Sequence, residues 1–142
     1  IEKLKDGNSD LILGNRFYNY KNTLKNGMPI HIFFGNIVLS LIAKIGLGLN
    51  LKDFFPGQRA YSKNFFDIIK TYKLPKGYQF SFEIIMLSKL HRLKISSVNC
   101  HCNYKDERST APLLYLFSGF YHLITSIFLF RFDKKKIFKR KK

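Results

Sequence analysis

Between Ala111 and Phe130 the chain runs for twenty residues without a formal charge, and the twelve that follow carry eight basic residues and one acid. A stretch this long and apolar can span a bilayer. Ser118, His122 and Thr125, however, recur at i, i+4 and i+7 with Ser126 beside them. That thin polar stripe fits a helix lying in the membrane interface, or packing partly on its own domain, better than a clean span. A basic run next to an apolar helix belongs on the anionic, cytoplasmic side of a membrane. The sequence therefore divides into a folded region, 1–110, and a membrane-associated helix with a basic tail, 111–142.

The chain of 142 residues is long enough for one domain with a real core. Its net charge of +16 implies an anionic partner: nucleic acid, a phosphate-bearing substrate or an anionic membrane surface. The opening Ile1-Glu2-Lys3-Leu4 reads as the closing turns of a helix already under way, so the expectation is a fragment of a longer chain. Cys100 and Cys102 are spaced poorly for an ordinary disulfide. With His101 they make either an incomplete metal site or, more simply, two small buried residues.

Periodicity and punctuation predict an α/β chain. Gly7 caps the opening helix, and Asp10–Leu13 is an apolar strand stopped by Gly14. Arg16 then stands at a strand's C-terminal end, where open α/β sheets bind ligands; a solvated loop arginine is the plainer reading. Tyr18 to Met28, rich in Asn and Lys, reads as a long loop. A helix from about Phe33 to Leu47 carries Ile37, Val38, Leu41, Ile42 and Ile45 at helical spacing. His31, just before it, is either a phosphate contact or a capping residue. Asp53 and Arg59 flank a Pro56-Gly57 turn that is expected to hold them close, as a structural ion pair or as part of a site. Ser62 caps a helix running to about Tyr72, and another follows from about Phe80 to Leu93. Glu83 shares the second helix's stripe with Leu87 and Leu90. It is either a first-turn partner of the helix dipole or an acid facing a cleft. Lys94 to Tyr104 alternates as a strand, and Arg108, Ser109 and Thr110 follow in a charged loop that can grip a phosphate or serve as a surface turn.

Five of these segments, taken in order, carry a resemblance. Asp53…Gly57-x-Arg59-Ala60 resembles the D-x-x-x-G-x-R-A motif of family 2 glycosyltransferases, in particular the branch that loads sugars onto polyprenyl phosphates. Leu11-Ile12-Leu13-Gly14-Asn15-Arg16-Phe17 looks like that family's V-I-G-S-R-F strand end, and Gly77-Tyr78-Gln79-Phe80-Ser81-Phe82-Glu83 like its G-Y-x-F-x-x-E helix start. Lys94-Ile95 through Tyr104 and on to Arg108-Ser109-Thr110 looks like its strand and loop K-I-x-E-V-P-x-x-Y-x-x-R-x-G-x-S. Ser118-Gly119-Phe120-Tyr121-His122-Leu123 looks like a G-x-x-H-L segment that follows the catalytic domain in some members. The departures are Asn15 for Ser, Gln58 for an aromatic, Ser97 and Asn99 for the Glu and Pro of E-V-P, and no Gly between Arg108 and Ser109.

The resemblance implies that residues 1–110 are the C-terminal, acceptor-side half of a GT-A (Rossmann-like) domain. It implies transfer of a sugar from a nucleotide sugar to a polyprenyl (dolichyl-type) phosphate. An upstream half would carry a D-x-D motif holding Mg2+ or Mn2+; no D-x-D occurs here, and no metal ligand is assigned in this chain. Asp53, Arg59 and Glu83 fall at catalytic positions, and Arg16, His31, Gln58, Arg108 and Ser109 at substrate- or phosphate-binding ones. A phosphate monoester is largely dianionic near neutrality. It needs a cationic cradle that aligns two anions more than it needs a general base. The alternative is a non-catalytic, basic, membrane-associated or anion-binding domain, such as a nucleic-acid-binding module. Nucleic acid explains the charge but neither Glu83 on an apolar stripe nor the uncharged helix, and it is not expected as a partner.

Overall fold

The computed structural model describes residues 2–104 and 113–138. Among these, the fold is mixed α/β, built on a small sheet of strand order β2-β1-β3. The central strand β1 (Leu11–Asn15) is buried along its whole length, as its uninterrupted apolar run requires. Strand β2 (Arg59–Tyr61) pairs with it antiparallel, Leu11 opposite Tyr61 and Leu13 opposite Arg59. Strand β3 (Ile95–Asn99) lies parallel on its other side, from Leu11 opposite Ile95 to Asn15 opposite Asn99.

The helices are α1 (Glu2–Lys5), α2 (Tyr20–Lys25), α3 (Ile30–Leu47), α4 (Lys63–Ile69), α5 (Tyr78–Leu90), α6 (Leu113–Phe132) and α7 (Lys134–Phe138). Ser62 caps α4 as expected, its hydroxyl accepting from the Phe65 N–H at 3.0 Å. The expected loop over 18–28 is instead largely helical: a 3-10 turn, Arg16–Tyr18, leads into α2. Two asparagines, Asn15 just before this stretch and Asn19 within it, are side-chain caps. Asn15 accepts from the Phe17 N–H and Asn19 from the Asn22 N–H. The Thr23 hydroxyl, donating to the Arg16 and Asn19 carbonyls at 2.6 and 3.0 Å, ties the two turns together.

Helix α5 fills the core. Phe82, Ile84, Ile85, Met86 and Leu87 are all essentially inaccessible, packed with Leu11, Leu13 and Phe54. A helix apolar nearly all round belongs between layers. Helix α3 buries only one side, Phe33, Ser40, Ala43, Gly46 and Leu47. Of the readings for the uncharged helix α6, the structure displays packing on its own domain. It lies against α3 and α5 and buries Leu123, Ser126 and Phe130. The α3 crossing depends on Gly46, where an added Cβ would fall 2.5 Å from the Ile127 Cδ1. Arg131 then donates to the Gly46 and Ile45 carbonyls at 2.8 and 3.0 Å, placing a cation on the exposed carbonyl end of α3. By length and composition α3 is apolar enough to cross a membrane.

Candidate functional site

Strands β1 and β3 are parallel, so their C-terminal ends lie side by side and the chain leaving each meets at one edge of the sheet. Arg16 leaves β1 and Tyr104 follows β3. Arg16 grips Asp53 with two nitrogens, Nε to Oδ2 at 2.6 Å and Nη2 to Oδ1 at 3.0 Å. Its remaining donors reach the Phe55 carbonyl and the Tyr104 hydroxyl, both at 3.1 Å. Asp53 is 2% exposed and also accepts from the Phe55 N–H at 3.1 Å. Burial by itself would lower the Arg16 pKa, but the hydrogen bonds and charge of Asp53 raise it above the ordinary arginine value. Burial pushes the Tyr104 phenol up, against the opposing pull of Arg16.

The expected proximity of Asp53 and Arg59 across the Pro56-Gly57 turn is not what forms the ion pair. Asp53 turns back to Arg16, because the chain beyond Gly57 enters β2 and carries Arg59 away along β1. Arg59 Nη2 donates to the Pro56 carbonyl and to Ser81 Oγ of α5, each at 2.6 Å, with the guanidinium 5.9 Å from the Phe80 ring centre. Its Nε is buried and has no hydrogen-bond partner among the described residues. A buried cationic donor left open is expensive and calls for an explanation.

Glu83 is 2% exposed. Since α5 begins at Tyr78, Glu83 lies beyond the first turn, so the helix-dipole explanation does not hold for it. Its carboxylate instead meets the polar stripe of α6: His122 Nε2 and Ser126 Oγ each stand 3.5 Å from Oε1, and 3.4 Å from one another. The acid on an apolar stripe and the polar stripe on an uncharged helix are thus two halves of one contact. Matching those two anomalies would have located His122 and Ser126 from the sequence. Tyr104 was marked only as part of the strand-and-loop resemblance, and Ser81 gave no signal, because neither is unusual where it stands.

The remaining candidates are more dispersed. Gln58 is exposed, and its carbonyl accepts from the Gly14 N–H at 2.9 Å. Gly14 must lack a side chain, since a Cβ there would fall 2.8 Å from Cys100 Sγ. His31 is exposed at the start of α3. Arg108 and Ser109 lie outside the described residues. Cys100 and Cys102 are free thiols, and burial, then Cys102, pushes the Cys100 pKa up to about 11. His101 turns to Asn26 instead, 3.1 Å away.

The described residues do not fit a Mg2+ or Mn2+ site. No group of three or more His, Cys, Asp or Glu side chains converges among them, and the Asp53 carboxylate is taken up by Arg16. What the arrangement offers chemically is fixed positive charge: an arginine partnered at every nitrogen that braces the edge of the sheet, and a second one whose Nε has no partner among the described residues. No protein-family model, curated protein or solved structure matches this chain.

Proposed function

We propose that this chain is the acceptor-side half of a GT-A-type glycosyltransferase. It would take part in moving a sugar from a nucleotide sugar to a polyprenyl phosphate at the cytoplasmic face of a membrane. The observation that carries the reading is the open, buried Nε of Arg59, which stands at the arginine of the D-x-x-x-G-x-R-A-like segment. An anionic oxygen of the acceptor or donor phosphate would supply the missing partner once the side chains that bury Nε yield to it. Ser81, from the G-Y-x-F-x-x-E-like segment, holds the guanidinium from the other side. In this reading Arg16 acts through Asp53 and Tyr104 to set the loop that carries Arg59, and Glu83 fixes α6 against α5. The phosphate dianion attacks the anomeric carbon and the nucleoside diphosphate leaves; Arg59 screens the charge shared by the two anions. Any metal ion belongs to the upstream half.

The test is made in the protein carrying that upstream half. Labelled nucleotide sugars and polyprenyl phosphate are supplied to wild type, Arg59→Lys and Arg59→Ala. A directional guanidinium contact is not reproduced by an ammonium point charge, so both variants are expected to lose about 100-fold in turnover. Full activity of the Lys variant sinks the assignment of Arg59. Absence of any sugar transfer by wild type sinks the reading and leaves a basic, membrane-associated anion-binding domain.

A further inference from the structure

We infer that the outer faces of α3 and α6 form one membrane-docking surface, and that its occupant is an anionic bilayer contacted from the side rather than crossed. The inference stands apart from the chemistry, since the surface would dock whether or not the protein transfers a sugar.

On α3, Ile30, Phe34, Val38, Leu41 and Ile45 are all more than half exposed. Their spacing of three and four puts them on one face, a strip about 22 Å long at 1.5 Å per residue. On α6, Phe117, Tyr121, Ile124, Phe128 and Phe132 repeat the pattern and are likewise exposed. Gly46 and Ile127 mark the seam between the helices. Ile45 and Phe128, each one residue from its seam position, begin the exposed side of either helix. Two adjoining apolar strips of this size go beyond the scattered exposure normal on a soluble surface.

Charge selects the occupant. The strips end beside a basic cluster: Lys44 on α3, Arg131 on α6, and Lys134 and Lys136 on α7 are exposed. α7 is pinned by Ile137, which is fully buried, so its lysines are held at that end. The sequence continues with Lys139, Arg140, Lys141 and Lys142. A second copy of the chain would bring another basic cluster to the same seam, and a chain of net charge +16 opposes that. Anionic headgroups beside acyl chains complement both features at once.

The inner side of α3 decides between lying and crossing. Ser40 accepts from the Phe54 N–H at 3.2 Å, and Ala43 and Leu47 belong to the same core as Leu11 and Leu13. To cross a bilayer, α3 would have to be pulled out of that core; lying in the interface leaves it in place.

The experiment is flotation of the full chain with vesicles of phosphatidylcholine alone and with vesicles of equal parts phosphatidylcholine and phosphatidylglycerol. Variants are Phe34→Glu with Leu41→Glu on α3, and Phe117→Glu with Phe128→Glu on α6. All four positions are exposed, so each pair is expected to keep the wild-type circular dichroism spectrum. Binding is expected only to the anionic vesicles, and each pair is expected to weaken it at least about tenfold. Wild-type affinity in the α3 pair overturns the shared surface. Equal binding to the neutral vesicles overturns the choice of an anionic bilayer. A wild-type dimer in sedimentation that the same pairs dissociate, with no flotation, makes the occupant a second copy. Sugar transfer is not read, so its failure and the failure of docking remain separate results.

Discussion

Arg16, just past the end of β1, and Arg59, at the start of β2, carry the same guanidinium, and their surroundings give them different work. Arg16 is closed at each guanidinium nitrogen: Nε and Nη2 on Asp53, Nη2 also on a carbonyl, and Nη1 on a phenol. Arg59 is held on one side, by Pro56 and Ser81, while its Nε stays open. A buried charge with a partner at every nitrogen is committed to the fold, because a ligand would have to displace partners already in place. A buried charge with an open donor has unspent capacity for an anion. Residue type and sequence motif rank the two alike; only the partner inventory separates them.

The comparison breaks most readily at Asp53. Asp53→Ala removes the carboxylate and leaves Arg16 buried without its counter-charge, which is expected to destabilise the fold by about 3–5 kcal/mol. Urea unfolding of the two proteins measures it. A loss under 1 kcal/mol would mean that water or a rearranged loop replaces Asp53, and Arg16 would no longer count as closed.

Tyr104→Phe sharpens the same side. It deletes one neutral partner of Arg16 and keeps the ring, for an expected loss of about 1.5 kcal/mol, as for a hydrogen bond to a charged group. Arg59→Met should act less on stability, about 1 kcal/mol, because the two hydrogen bonds it removes are offset by relief of the open Nε. If Arg59→Met proved as damaging as Asp53→Ala, the two arginines would be structural equals and the open donor would carry no functional argument.

How far the sequence revealed this contrast depends on the range of the interaction. Local signals held: Gly7 and Ser62 cap where expected, β1 falls on its apolar run, and the uncharged stretch is helical from Leu113 onward, in α6. The helix α2 was hidden because Asn and Lys are read as loop composition, while the caps of Asn15 and Asn19 depend on backbone geometry. Pairing was the less legible level. Asp53 and Arg59 are near in sequence, yet the partner of Asp53 lies 37 positions away and is brought there by β1. The polar stripe of α6 was visible as an anomaly, but its meaning required Glu83 on another helix. The exposed strip of α3 was not distinguishable from a buried one, since periodicity shows that a face exists and not what covers it.

The smallest expected effect is also the most local probe of the Arg16–Asp53 pair. Cys100 lies against Gly14 at the end of β1, and its thiol is pushed up to about 11, first by burial and then by Cys102. Asp53 raises it a little and Arg16 lowers it, both less than those two causes. Removing Asp53 while Arg16 stays should therefore move the Cys100 pKa down, and only slightly. The measurement is the pH profile of alkylation in the Cys102→Ser background, where a single thiol reports and the loss of Cys102 itself lowers the starting pKa. With a raised pKa, the folded state holds its proton more tightly than the unfolded chain. The stability this contributes is complete below pH 9, the ordinary thiol value, and is lost as pH rises through about 11. Alkylation of the folded protein should accordingly be slow at pH 8 and climb steeply above pH 9. No shift on Asp53→Ala would show that Arg16 leaves the site with its partner, since the two opposed influences on Cys100 would then vanish together. The closed arginine would then be held by Asp53 alone, with Tyr104 and the Phe55 carbonyl merely following it.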